Sequence, residues 1–241
     1  MKKESSNLDN DKQSITEYEK ILKAVFLKIP EKNELKFLVS SDIGLEILNL
    51  KLSINILLEK EHHTGILSLI RIMLENYIYL KYILAEDSFK RSKAYQLSTY
   101  RDMKKQYSAQ KNNKVLEKKR EQAPSLNIQI DLYEQNKSEI TQYLKELDSL
   151  YGHKLVPWYN DDGKTKGIYK LFERLGKSDW YDGIYRYLCM EAHGNNGLKH
   201  FEMLENGTTR LKPTILDEKQ ISDITCKILN ETRQELLKLI I

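Results

Sequence analysis

An all-α fold, a single-domain bundle of about seven to nine helices, is what the sequence predicts, and three observations predict it. Only ten Gly and four Pro punctuate 241 residues, while Leu, Ile, Lys and Glu abound; this composition suits long helices with short connections. Apolar residues recur with helical spacing through most of the chain. Only one strong hairpin signal occurs, Asn206-Gly207, which leaves room for a small two-stranded flap near residues 201–212. Residues 1–13, polar and without period, are expected as a disordered tail, and residues 14–241 as one helical domain.

The elements follow in order. Ser14, with Glu17 three positions on, reads as a capping box opening a first helix that carries Ile21, Leu22, Val25, Phe26 and Ile29 and ends before Pro30. A second helix is expected after Ser41-Asp42 and runs to the Glu-Lys-Glu-His-His segment, where His62 and His63 meet the negative end of its dipole. The third, Gly65 to Ala85, is apolar around nearly its whole circumference, which implies burial on most sides. Ser88 to about Lys111 forms a longer, more polar helix with Tyr95, Tyr100 and Tyr107. From about Ser125 to Leu150 another helix is expected, with a break near Asn136-Lys137-Ser138. Tyr151 to Gly163, containing His153, Pro157 and Trp158, reads as an aromatic loop packed onto the core. A short helix from Lys164 to Leu175 stops at Gly176. Ser178 and Asp179 then cap a helix through Trp180, Tyr185 and Leu188 to His193, and a final helix spans about Asp217 to Ile241.

Charge and motifs exclude several classes. The net charge of +4 and pI near 8.7 permit RNA as a partner without demanding it. Cys189 and Cys226 form neither a Cys-x-x-Cys motif nor a disulfide framework, and the N-terminus carries no apolar signal core, so a cytoplasmic protein is expected. Arg71, Glu75, Asn76 and Lys81 interrupt the most apolar run, so no membrane span is expected. No metal-ligand spacing, P-loop, dinucleotide glycine pattern or Gly-x-Ser-x-Gly elbow occurs; neither metal nor cofactor is expected.

Three groups of polar residues carry chemistry. Arg186 and His193 stand seven apart, a separation that returns to one helix face within about 20°. A cation and a titratable imidazole are thus aimed at one spot, beside Gly194-Asn195-Asn196-Gly197, which ends the helix; Asp182 lies one turn earlier. This is either a catalytic corner or a helix end stapled by a polar side chain. On the third helix Ser68, Arg71 and Glu75 share a face, as an internal ion pair that pins the helix or as the lining of a polar pocket. The span Arg101 to Glu121 holds eight Lys or Arg against three Asp or Glu. It is a solvated extension, or a phosphate-tracking surface including Lys104, Lys105, Lys118, Lys119 and Arg120 with tyrosines available to stack on bases.

The Arg186-x6-His193 arrangement near the end of a helix resembles the Arg-x4-6-His signature of the HEPN superfamily of helical ribonucleases, with Tyr187 standing where those enzymes usually carry a polar residue. The resemblance implies metal-independent RNA cleavage by a defence effector of the abortive-infection or toxin type, its site completed in a homodimer. It also implies an antitoxin or another defence-system protein as partner. The chain is also similar, over about residues 60 to 205, to a bacterial all-helical domain family in which an Arg-x-x-x-Glu helix, here Arg71 to Glu75, precedes a Tyr-rich helix ending in His, here Tyr185 to His193. On these expectations His193 is the general acid or base, Arg186 the phosphate clamp, and Arg71 with Glu75 a supporting pair behind them or an extension of the pocket. The alternative is a non-catalytic sensor or interaction module that binds a small molecule, nucleic acid or partner protein in the polar pocket.

Overall fold

The computed structural model of the chain describes residues 2–29, 34–115, 117, 119, 128–192, 201–211 and 216–241. It is an all-α, multi-helix protein. Helices α1 (Lys2–Leu27), α2 (Glu34–Glu59), α3 (Ile66–Ala85) and α4 (Ser88–Lys111) are followed by α5 (Ile128–Gln135) and α6 (Lys137–Ser149). After an irregular stretch come α7 (Ile168–Arg174), the short α8 (Ser178–Trp180), a π-helical turn (Tyr181–Tyr185) and α9 (Arg186–Ala192). A hairpin of β1 (Phe201–Met203) and β2 (Thr209–Leu211) then precedes α10 (Glu218–Leu237). The strands pair antiparallel, Glu202 opposite Arg210. In the turn Asn206 Oδ1 accepts from the Thr208 amide and hydroxyl, and Gly207 takes a positive φ of 78°.

The chain falls into two compact units, residues 1–86 with 171–241, and residues 87–170. The physical reason is that the second segment builds apolar clusters of its own, described below.

In the first unit α3 packs against α2, α10 and α9, while α1 packs on α10 and α2. Ile66, Ile70, Met73, Leu74, Tyr77, Ile78 and Ile83 are all buried, as the apolar girdle of α3 demands. Each such aliphatic side chain contributes on the order of 1.5–3 kcal/mol relative to exposure. Close approach is permitted at Gly44 of α2. A Cβ there would come within 3.0 Å of Leu22 Cδ1, 3.2 Å of the Tyr18 hydroxyl and 3.3 Å of Leu236 Cδ1. Tyr18 uses the gap to donate to the Gly44 carbonyl at 2.9 Å.

Residues 2–13, expected in a tail, belong to α1, which passes through Ser14 without starting there. The cause is a buried ionic cluster. Lys51 of α2 is wholly enclosed and donates to Asp11 Oδ1 at 2.7 Å and to Thr225 Oγ1 at 2.9 Å. Ser222 and Cys226 donate to the same carboxylate oxygen at 2.9 and 2.7 Å, and Asn55 donates to Oδ2 at 2.8 Å. An isolated buried ammonium costs several kcal/mol, so α1 must extend to deliver its counter-ion. Burial acts to raise the Asp11 carboxyl, but hydrogen bonds from Cys226, Lys51 and Ser222 together with the Lys51 charge hold it below its ordinary value. The Cys226 thiol is pushed up to about 11, chiefly by burial, so it stays protonated and inert. Helix α2 likewise begins earlier than the Ser41-Asp42 signal suggests, because Ser40 and Ser41 lie buried within it rather than capping it.

In the second unit α4 packs on α5 and α6. Ala94, Leu97, Leu147 and Leu155 form one cluster, and Tyr107, Tyr133 and Ile140 another. The expected break near residue 136 is present, with Asn136 between α5 and α6. The tyrosines of α4 are not free to stack on bases. Tyr107 lies on Tyr133 at 4.1 Å, Tyr100 on Tyr143 at 4.6 Å, and Tyr95 meets Trp158 edge-on at 5.0 Å. Internal stacking satisfies these rings because α5, α6 and the 150–167 loop present partners at the same level. Two polar staples fix that loop. The buried Arg91 donates to Asp161 Oδ2 at 2.9 and 3.1 Å, and the two ring nitrogens of His153 face the carbonyl oxygens of Tyr151 and Asn160 at 3.0 and 2.8 Å.

Candidate active site

Trp180, Tyr185 and Leu188 are the apolar face by which residues 178–192 hold to the core. The helix there is not uniformly α. Tyr181–Tyr185 form a π turn, in which i→i+5 bonding widens one turn and re-aims the side chains that follow. Residues four apart come into line across it. The Tyr181 and Tyr185 rings lie 5.2 Å apart, with Phe172 5.1 Å from Tyr185, and Arg186 Nη1 reaches Asp182 Oδ1 at 3.3 Å.

The inner, half-buried end of this arrangement is a three-residue lock. Arg71 Nε donates to Glu75 Oε1 at 2.9 Å, and the Tyr185 hydroxyl donates to the same oxygen at 2.6 Å. The Arg71 guanidinium also stands 5.7 Å from the centre of the Tyr185 ring. Burial, then the Glu75 carboxylate, raises the Tyr185 phenol, so it remains a donor at any physiological pH. The geometry shows Arg71 and Glu75 as an ion pair, Arg71 through Nε and Glu75 through Oε1, with 25% and 21% of the two side chains still exposed. Ser68 lies half-buried one turn earlier on α3.

The outer end is different. Arg186 and Asp182 expose 67% and 58% of their side chains, so their pair is a surface contact of small worth. The guanidinium can exchange that carboxylate for an incoming anion at little cost. His193 lies outside the described residues, one position beyond the end of α9. The structure therefore joins Asp182 with Arg186, and Arg71 with Glu75, through a helix whose Tyr185 belongs to the inner lock and whose Arg186 faces water.

The basic residues divide as well. Lys104 and Lys105 are exposed on α4 and line a cleft with Arg101 and Lys154; Lys119 is exposed, while Lys118 and Arg120 lie outside the described residues. Sequence reading missed Tyr185 as a polar partner, since a tyrosine at an apolar helix position reads as core. It missed Lys154 because an isolated lysine in a loop carries no periodic signal. Among the described residues no group of three or more His, Cys, Asp or Glu is placed to hold a metal ion, and no helix is long and apolar enough to cross a membrane.

Fold and site together define an all-helical protein in which an arginine-bearing helix is locked to a central Arg-Glu helix. Residues 45–208, more than half of the chain, match the model of a family of unknown function, DUF5677, and the chain belongs to that family. No curated protein and no solved structure matches it.

Proposed function

We propose that this protein is a metal-independent RNA-cleaving effector of bacterial defence, of the abortive-infection or toxin type, acting in the cytoplasm as a homodimer. One observation carries the reading. Arg186 is solvent-facing and only lightly held by Asp182, yet it sits on a helix fixed from beneath by the Tyr185, Glu75 and Arg71 lock. A phosphate clamp needs that combination of a free head and a rigid base.

The chemistry asks for two groups. Arg186 binds the non-bridging oxygens of a phosphodiester and offsets the charge that builds on them during in-line attack. His193 moves one proton, as base from the attacking 2′-hydroxyl or as acid to the departing 5′-oxygen, and water makes the complementary transfer. The 2′-oxygen to phosphorus bond forms as the phosphorus to 5′-oxygen bond breaks, which yields a cyclic phosphate and a 5′-hydroxyl. An antitoxin or another defence-system protein would restrain such an activity. Asp182, as the resting partner of Arg186, must release it when RNA binds.

The test is incubation of the purified protein with total RNA in EDTA, wild type beside His193→Ala and Arg186→Ala. Cleavage by wild type and its loss in both variants is the expected result. Undiminished cleavage by either variant removes this mechanism.

A further inference from the structure

Cationic side chains converge on a cleft of about 570 Å3 in the second unit. Arg101, Lys104 and Lys105 come from one face of α4, since positions three and four apart on a helix are neighbours. Lys154 and Val156 come from the ordered loop, and Leu144 and Asp148 from α6. The four cations face a single lining carboxylate, Asp148.

That carboxylate is already engaged. Arg101 donates to Asp148 and to the Leu155 carbonyl, so it braces α6 and the loop against α4 and holds the cleft open. Lys105 makes one exposed contact, to Asp102 at 3.0 Å with both side chains about two-thirds in water, and such pairs yield readily to a better anion. Lys104 and Lys154 are exposed, and among the described residues neither has an ion-pair partner. Three lysines thus stand on a braced frame with an excess of positive charge over the cleft. No aromatic residue lines it, because the nearby tyrosines are stacked on one another.

We infer that this cleft is a binding site for the phosphodiester backbone of an RNA strand, with Lys104, Lys105 and Lys154 each neutralising a phosphate. The choice of RNA as the source of the phosphates rests on the ribonuclease reading; the site itself rests on the cleft. Lysines act as point charges without the planar fork that reads bases, and no ring is free to stack, so binding here is indifferent to base sequence and steep in salt. The cleft would hold a strand rather than cut it.

The full chain carrying His193→Ala is titrated with fluorescently labelled single-stranded RNA of mixed sequence at several salt concentrations. It is compared with the same chain also carrying Lys104→Gln, Lys105→Gln and Lys154→Gln. The expected result is at least tenfold weaker binding, with the slope of log K against log salt shallower by about two, from three lost contacts at about 0.7 each on a single strand. Thermal melting of the two proteins should coincide, since all three lysines are exposed; a replacement limited to Lys154→Gln serves if it does not. Equal affinity and slope would overturn the inference, as would tighter binding of DNA of the same sequence or of poly-glutamate. If groove replacement weakens binding while the wild-type protein leaves RNA intact, cleavage fails and the cleft stands. If wild type cleaves RNA but groove replacement changes nothing, the reverse holds.

Discussion

Two polar clusters, one half-buried at Glu75 and one enclosed at Lys51, decide how single residues matter here. At Glu75 one carboxylate oxygen receives both Arg71 and Tyr185, and the phenol is the only one of the three supplied by the site helix. Tyr185→Phe removes that donor without changing volume much. It should lower stability by about 1.5–3 kcal/mol, the range for a hydrogen bond to a charged group, as read by urea denaturation. If the lock also aims Arg186, RNA cleavage should fall in the same variant at temperatures where it is fully folded. Around Lys51 the charges are enclosed, so breaking the pair costs more than the pair gains. Asp11→Ala should cost about 3–5 kcal/mol, whereas Asp11→Leu with Lys51→Met should recover most of that loss. The pH dependence follows from the lowered Asp11 carboxyl. Its stabilisation is fully present above the unfolded carboxylate value of about 3.9 and is lost as pH falls through that value toward the lower folded one. A urea midpoint that falls below about pH 4 in wild type, with a smaller fall in the Asp11→Leu, Lys51→Met protein, is the expected measurement.

At the level of elements, packing overrules local signals where the two disagree. Gly44 sits mid-helix, where propensity alone favours every residue but proline over glycine, by up to about 1 kcal/mol. Its Cβ position is nonetheless filled by Leu22, Tyr18 and Leu236. Gly44→Val should therefore destabilise by about 1–3 kcal/mol and lower the melting temperature. An unchanged or higher melting temperature would show that α1 and α10 can move aside. The helices that the sequence made legible are those whose ends and faces are local matters. Ser88 to Lys111 matches its expected span. Asp217 forms the capping box with Gln220 that opens α10. The start of α1 was illegible because the contact that fixes it joins residues 40 apart, Asp11 and Lys51. Ser14 and Ser41 look like caps to a local reading and lie inside helices. The π turn has no signature of its own, since Tyr-Asp-Gly-Ile-Tyr fits an α pattern equally well.

Across the whole molecule, the fold class was readable from composition and period, while the division into two units was not. No Gly or Pro lies close to residues 86–87, although Gly163, Gly167 and Gly176 flank 170–171, and what separates the second unit is its own stacked tyrosines and leucines. The candidate site was half legible. Spacing singled out Arg71, Glu75, Asp182 and Arg186, and the structure adds why they behave differently, one pair locked beneath the helix and one open above it. The account rests on the open arginine acting with His193 on a phosphodiester. RNA cleavage in EDTA by wild type, Arg186→Ala and His193→Ala, with thermal melts confirming that all three are folded, tests it most directly. The account predicts cyclic-phosphate and 5′-hydroxyl ends from wild type and intact RNA from both variants, whereas folded wild-type protein that leaves RNA intact, or variants that cut as well as wild type, would contradict it.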